Sequence, residues 1–491
     1  MTKSMNRPAE AEPARHQLGE GVSTGAGANA RGSAGGGGRG RVVRLGTFDA
    51  ESWWRPADLA VLPALGGGSD PAVDAMDELL AGFCDPGDLL ITRRPMAAAV
   101  LDGLATAFGG RVADNLAPAH STATPSILTP STRADSTATP STPASSSQAF
   151  EHLALGDPGS GPIERHVLAD QAIMNRIRGA RIVPYAVLPE TWTLAEQSLP
   201  APDVVARVNS KTWSNELVRR LGLPGAGRLV RSVDELVEVV ITLKFKALIK
   251  DPYGVSGRAL LEVPSPGVLK AIERVLRKQV DNGRRVELVV QEKFRKQDDF
   301  SGHLHLDQDG SWEFLGIQQM TNRGFRHFGS SPATQSLIDQ GWYAEAVAEV
   351  VPALTEAGYW GPVGIDSMLL DDGTVIPVLE INARQSLGLL AIRLDRQAGE
   401  HGLTGHLWQV ELNLAPGQTV EDLLHAFGNI RYDGGARPGV TVLNGSTLAA
   451  PGGRVHVAIF CAAGEIHRWR QRLLTEMISA GLTPRGMTDA A

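Results

Sequence analysis

From residue 41 onward, apolar positions fall into short runs separated by polar turns. Val42–Phe48 and Leu89–Thr92 read as short buried strands, Pro71–Phe83 carries a helical pattern, and Arg181–Leu188 reads as a later strand. Strands alternating with helices point to a parallel sheet. From about Pro202 the pattern tightens. Trp213, Leu217, Val218 and Leu221 recur at helical spacing behind Ser210, a candidate N-cap, and Gly222 can end that helix. Ser232 and Glu235 form a capping-box pattern ahead of a second helix. Ala247–Lys250 reads as a strand feeding a glycine-containing loop. Ser265-Pro266 opens a third helix, with Leu269, Ile272, Leu276 and Val280 on one side. Strands follow near 286–294, 302–307 and 312–319, then a long helix near 337–357, then strands at 363–370 and 375–382. Val440–Leu443 and Arg454–Phe460 read as further strands, and Glu465–Ala480 as a helix.

Composition changes this picture in two places. Residues 1–40 are rich in Gly, Ala, Ser and charge, too poor in apolar surface to offset the entropy of ordering, and read as a disordered tail. Residues 117–149 repeat Ser, Thr, Ala and Pro and read as a loose insert in a folded domain. A chain of 491 residues implies two to four domains. The expected division is 41–204, 205–414 and, after a composition shift near 415, a small α/β unit at 415–491. A net charge of −7 gives no support for a nucleic-acid or membrane-surface partner. The apolar runs fall short of a membrane span, and no apolar signal core follows the first basic residues. Cys84 and Cys461 offer neither metal-ligand spacing nor a disulfide framework, so a cytoplasmic protein is expected.

Three segments carry candidate chemistry. In GPVGIDSMLL (361–370) and TVIPVLEINARQSLG (374–388), Asp371-Asp372-Gly373 signals a tight turn. Strand alternation then puts Glu380 and Asn382 on one face, with Asp366 roughly opposite Glu380. Two carboxylates held that close need a proton or cation between them. These hard oxygen ligands suit Mg²⁺, although two solvated acids on a hairpin would read the same way. Next, Lys250 ends an apolar strand, and Gly254, Ser256 and Gly257 offer backbone amides that can lie over phosphates. No Walker A pattern occurs. Finally, the run VELVVQEKF (286–294) delivers Gln291, Glu292 and Lys293 to a strand end ahead of Asp298 and Asp299, polar groups able to read an adenine edge and ribose hydroxyls. An ordinary strand running into an acidic loop would look alike.

In order, these segments resemble the ATP-grasp superfamily from about 200 through 395. The layout, with an α/β domain before and a small domain after, looks like the pheganomycin-type peptide ligases. The resemblance implies a mixed α/β and α+β chain: a pre-ATP-grasp domain, an ATP-grasp fold and a small C-terminal domain. It implies that Lys211 and Lys250 contact the phosphates of ATP, and that Gly254, Ser256 and Gly257 close over them. Glu292 would lie near the adenine amino group, with Gln291, Lys293 and Phe294 in the hinge and backbone through Arg295 against the ring. Asp299, or Asp298 in its place, would hold the ribose. Asp366, Glu380 and Asn382 would bind one or two Mg²⁺. Arg384 would stabilise the transferring phosphoryl group, and Arg323 would meet a phosphate or a substrate carboxylate. The implied activity joins a small carboxylate donor to an amino acid or peptide amine, as in peptide antibiotic assembly, in a possible homodimer. A carrier-protein arm as acceptor, a small-molecule kinase and a non-catalytic nucleotide-binding protein are the rival expectations.

Overall fold

The computed structural model describes residues 41–63, 73, 75–108, 111–114, 148–156, 159–254, 260–334, 337, 339–448 and 450–485. The tail expected at 1–40 and residues 117–147 of the expected insert lie outside them. The remaining two residues of that insert, Gln148 and Ala149, belong to a strand, so its boundary stops short of 149.

Among the described residues the strands form three sheets. The first holds β1 (Val42–Leu45), β2 (Asp88–Thr92), β3 (Arg111–Asp114), β4 (Gln148–Ala154) and β5 (Arg181–Pro184), in the order β3-β4-β2-β1-β5. Every pairing is parallel. Parallel strands need helical crossovers on both faces, and the central strand β2 accordingly buries all five of its residues.

The second sheet is small and antiparallel: β6 (Arg228–Val230), β7 (Ala247–Lys250), β8 (Leu260–Val263) and β9 (Leu288–Glu292), ordered β6-β9-β7-β8. Helices Val233–Thr242 and Pro266–Asp281 cover it, capped by Ser232 and Ser265 through their hydroxyls. Leu236, Val240, Leu269, Ile272 and Leu276 supply the buried stripe.

The third sheet runs β14-β13-β10-β11-β12-β15-β17-β16, from β10 (Lys296–Leu306), β11 (Trp312–Arg323), β12 (Arg326–Pro332), β13 (Gly361–Leu370), β14 (Val375–Asn382), β15 (Thr404–Asn413), β16 (Gly439–Val442) and β17 (Gly452–Cys461). β15 and β17 pair over ten residues, from Thr404 opposite Cys461 to Asn413 opposite Gly452. The sheet therefore continues across the boundary expected near 415. The long helix expected near 337–357 is two helices, Gln340–Ala348 and Val351–Glu356, the second with Pro352 in its first turn, whose ring and missing N–H stop an uninterrupted helix. The apolar helical pattern at Pro71–Phe83 becomes a 3₁₀ helix at Ala75–Phe83.

Candidate active site

The turn between β13 and β14 sets the site's geometry. Gly373 takes φ 84°, which a side chain would resist, and its amide donates to the Leu370 carbonyl at 3.0 Å. This closes a hairpin in which Asp366 is the cross-strand partner of Glu380, and Gly364 of Asn382. The period of two then brings Asp366, Glu380 and Asn382 to one face, with the Asn382 amide bonded to Asp366.

Two lysines approach that face from other elements. Lys211 opens the helix Lys211–Arg220, capped by Ser210, and its ammonium lies 2.7 Å from Glu380 Oε1 and donates to the Gly254 carbonyl at 2.8 Å. Lys250 is the last residue of β7 and is buried. Burial, helped by Lys211 and opposed by Glu380 and Asp366, pushes its pKa down to about 8. Burial and the neighbouring Glu380 push the Asp366 carboxyl up to about 7.

Arg384 leaves the end of β14 toward the first sheet. Its guanidinium pairs with Glu51 and donates to Asn209 Oδ1 at 2.8 Å. Burial opposes its charge, yet Glu51 and Tyr185 hold its pKa above the ordinary value. Arg384 Nε and Glu51 Oε2 are buried without a hydrogen-bond partner. The helix Leu387–Gly399 starts just beyond, capped by the Ser386 hydroxyl.

These groups line one cavity of about 590 Å³ between the second and third sheets. Gln291, Lys293, Phe294 and Asp299 line it too. Gln291 bonds the Gly225 carbonyl, and Lys293 pairs with Glu262 at 2.6 Å. Asp299 accepts from Asn322 at 2.7 Å and pairs with Lys296. Its neighbour Asp298 accepts from Gln319 at 2.9 Å and does not line the cavity, so of the two candidates for a ribose only Asp299 reaches it.

Other expected positions are not brought together. The Glu292 side chain is exposed and points away, because alternation sends it opposite to Gln291. Arg323 stands away from the cavity with its guanidinium 4.4 Å from the Phe328 ring centroid, while Arg326 across the β11–β12 turn lines the cavity. Ser256 and Gly257 lie outside the described residues. Among the described residues no group of three or more His, Cys, Asp or Glu side chains could hold a metal ion. Asp366, Glu380 and Asn382 differ from such a group in offering two carboxylates and an amide. Their crowded, buried charge is of the kind a small divalent cation relieves.

Sequence reading missed Glu51, Tyr185, Asn209 and His303. Glu51 comes from the short helix Ala50–Trp54 and Tyr185 from just beyond β5, where no local pattern marks them. Asn209, two residues before Lys211, orients both Arg384 and the Ala383 amide, which donates to its Oδ1 at 3.0 Å. His303 is buried in the cavity wall, and burial pushes its pKa down to about 3, so it is neutral.

No protein-family model matches the chain. A curated relative, the "[Butirosin acyl-carrier protein]--L-glutamate ligase" of Niallia circulans, is 24% identical over 216 residues, 41% of this chain and 51% of that protein. The chain thus spans about half the length of this relative. Among solved structures, an ADP complex of N5-carboxyaminoimidazole ribonucleotide synthetase matches with a TM-score of 0.50 and 11% identity, over 90% of this chain and 98% of that one. The Staphylococcus aureus N5-carboxyaminoimidazole synthetase with ADP gives 0.48 and 10%, over 89% and 96%. The class defined by this fold is the ATP-grasp fold, as the sequence led us to expect. Within that class the chain resembles ligases.

Proposed function

We propose that the protein is an ATP-dependent carboxylate–amine ligase, forming an amide through an acyl phosphate with release of ADP and phosphate. The observation that carries this reading is the convergence of Asp366, Glu380, Asn382, Lys211, Lys250 and Arg384 on one cavity from four separate segments. A binding protein needs no such set.

In this reading ATP enters between the second and third sheets, with the adenine at Gln291–Phe294 and the ribose at Asp299. Lys211 and Lys250 meet the phosphates. Asp366, Glu380 and Asn382 would hold Mg²⁺, which would supply neutralisation of phosphate charge. A carboxylate oxygen attacks the γ-phosphorus and ADP leaves, while Arg384, held in place by Glu51 and Asn209, faces the charge that develops. An amine then attacks the acyl carbon and phosphate leaves. The labile acyl phosphate requires that water be kept out until the amine arrives. The acceptor is an amino acid or peptide in natural-product assembly, in a cytoplasmic setting that suits the free thiols Cys84 and Cys461. The curated relative favours a second reading, in which the acceptor is a carrier-protein arm.

The test follows ATP, Mg²⁺ and a panel of amino and guanidino acids crossed with short peptides and a carrier protein, with products read by mass spectrometry. ADP, phosphate and a new amide, all lost in Glu380→Ala with the fold retained, are expected. AMP and pyrophosphate, or undiminished turnover in Glu380→Ala, would sink the proposal.

A further inference from the structure

The cavity does not end at the nucleotide end of the third sheet. It continues along the same face onto β12, β15 and β17, where His327, Ser330, Gln409, Arg454 and His456 line it. The register explains this continuity. Asp299 faces Met320, Met320 faces Ser330, Ser330 faces Leu407, and Gln409, two residues on, faces His456. One polar face thus crosses the sheet from Asp366 on β13 to His456 on β17.

None of the chemistry proposed above uses this end, yet it holds buried polar atoms without partners. His456 is 1% exposed, and neither ring nitrogen has a hydrogen-bond partner. His327 Nε2 lies 2.8 Å from the Ser330 hydroxyl, leaving Nδ1 buried and unpartnered. A polar group buried without a partner loses its bonds to water and gains none, so such groups together mark a place where a ligand completes the bonding. Burial pushes the pKa of His456 to about 3, with Arg454 and His327 adding to it, and burial pushes that of His327 to about 4. Both rings are therefore neutral near pH 7; with His327 Nε2 accepting from the Ser330 hydroxyl its Nδ1–H is left to donate, and His456 has one N–H of its own. The charged groups lining this end are the guanidiniums of Arg326 and Arg454. Among the described lining residues the carboxylates lie at the nucleotide end. Glu411, opposite Arg454 in the register, accepts from Gln409 at 3.2 Å and does not line the cavity. Neutral donors beside guanidiniums suit an oxyanion.

Length narrows the choice. Asp366 and His456 stand five strand spacings apart, about 24 Å along the sheet at about 4.8 Å each. Twist and coiling shorten the direct path, while the offset along the strands in the register lengthens it. At about 3.4 Å per residue, a span of that order corresponds to about seven residues of extended chain.

We propose that the β12–β15–β17 end seats the C-terminal carboxylate of a short peptide acceptor, held by His327, His456 and the neighbouring guanidiniums while its amine reaches the acyl phosphate. This rests on the ligase reading for the amine and names the acceptor's far end. Its first test does not depend on turnover. Imidazole resonances of His327 and His456 are followed by NMR during titration of the protein with alanine peptides of two to six residues, the same peptides as C-terminal amides, and inorganic phosphate. Shifts with the acids, at least tenfold weaker with the amides and with phosphate, are expected. Equal response to acid and amide, no response to either, or a stronger response to phosphate overturns the proposal, whatever the outcome for the ligase reaction. A second test uses His456→Ala and His456→Gln. Once a peptide substrate is in hand, a tenfold or greater rise in its KM in His456→Ala is expected, with kcat and the KM for ATP within about twofold, and partial recovery in His456→Gln, whose amide can donate. A matching fall in kcat with unchanged peptide KM would count against it. Should both variants fail to fold, the titration of the unaltered protein still decides.

Discussion

Asp366 illustrates how a functional residue burdens the fold that carries it. Its carboxyl is pushed up to about 7 by burial and by Glu380, whereas the unfolded chain has an ordinary carboxyl near 4. A raised folded pKa means that its favourable contribution is present below the unfolded value and is lost as pH rises through about 7. Asp366→Asn should therefore raise the stability of the ligand-free protein at pH 8 by on the order of 1 kcal/mol or more, with the gain shrinking toward pH 4. Turnover should be lost at every pH. Calorimetric unfolding at pH 5 and 8 checks this, and a variant no more stable than the parent at pH 8 would contradict the crowding described here. At this scale the sequence was informative where a residue's position follows from the strand period, as for Asp366, Glu380 and Asn382. It was uninformative where a partner arrives from elsewhere in the chain: Glu51 meets Arg384 across 333 positions, a pairing that no local pattern records.

Among the elements, the helix Leu387–Gly399 tolerates little change at its start. A Cβ on Gly388 would overlap His303 Nε2 and crowd Ser301 Oγ at 3.3 Å. Gly388→Ala should displace either the helix start or His303, costing about 1–3 kcal/mol and lowering kcat, because Ser386 and Leu387 line the cavity beside it. Urea unfolding together with steady-state kinetics tests this, and a variant with parental stability and rate would show that the contact yields freely. Caps and periodicity made the helices behind Ser210, Ser232 and Ser265 legible. β12 and β15 were not legible. β12 (RHFGSSP) mixes charge, glycine and hydroxyls, and β15 alternates only weakly because much of both its faces is buried. The far end of the cavity, built on these two strands and β17, was hidden for the same reason.

At the scale of the whole molecule, β3 and β4 constrain what can be removed between them. They are parallel neighbours, so their connection must cross over and needs a dozen or more residues. Cutting out 117–149 entirely would also remove Gln148 and Ala149 from β4. Replacing 117–145 with a Gly/Ser linker of about 12 residues should leave turnover and unfolding temperature near parental values, whereas removing 117–149 outright should reduce the yield of folded protein. Expression and thermal unfolding of the two variants separate these outcomes, and equal loss in both would assign the segment a structural part. The broad architecture was legible because alternating strand and helix patterns follow from the chain's own periodicity. The continuity of the third sheet past 415 was not, because a shift in composition need not coincide with a break in hydrogen bonding.

That continuity bears on how the protein is made. β15 lies between β12 and β17, and the cavity wall holding Arg454 and His456 comes from a strand that ends at Cys461. On the ribosome, the nucleotide side of the molecule is synthesised well before β17, and until then β15 exposes a row of unpaired amides and carbonyls. A nascent chain can thus gather its phosphate-facing lysines early and still lack the wall at the other end. Completion of the far wall therefore waits until β17 has been translated, after every strand of the nucleotide side.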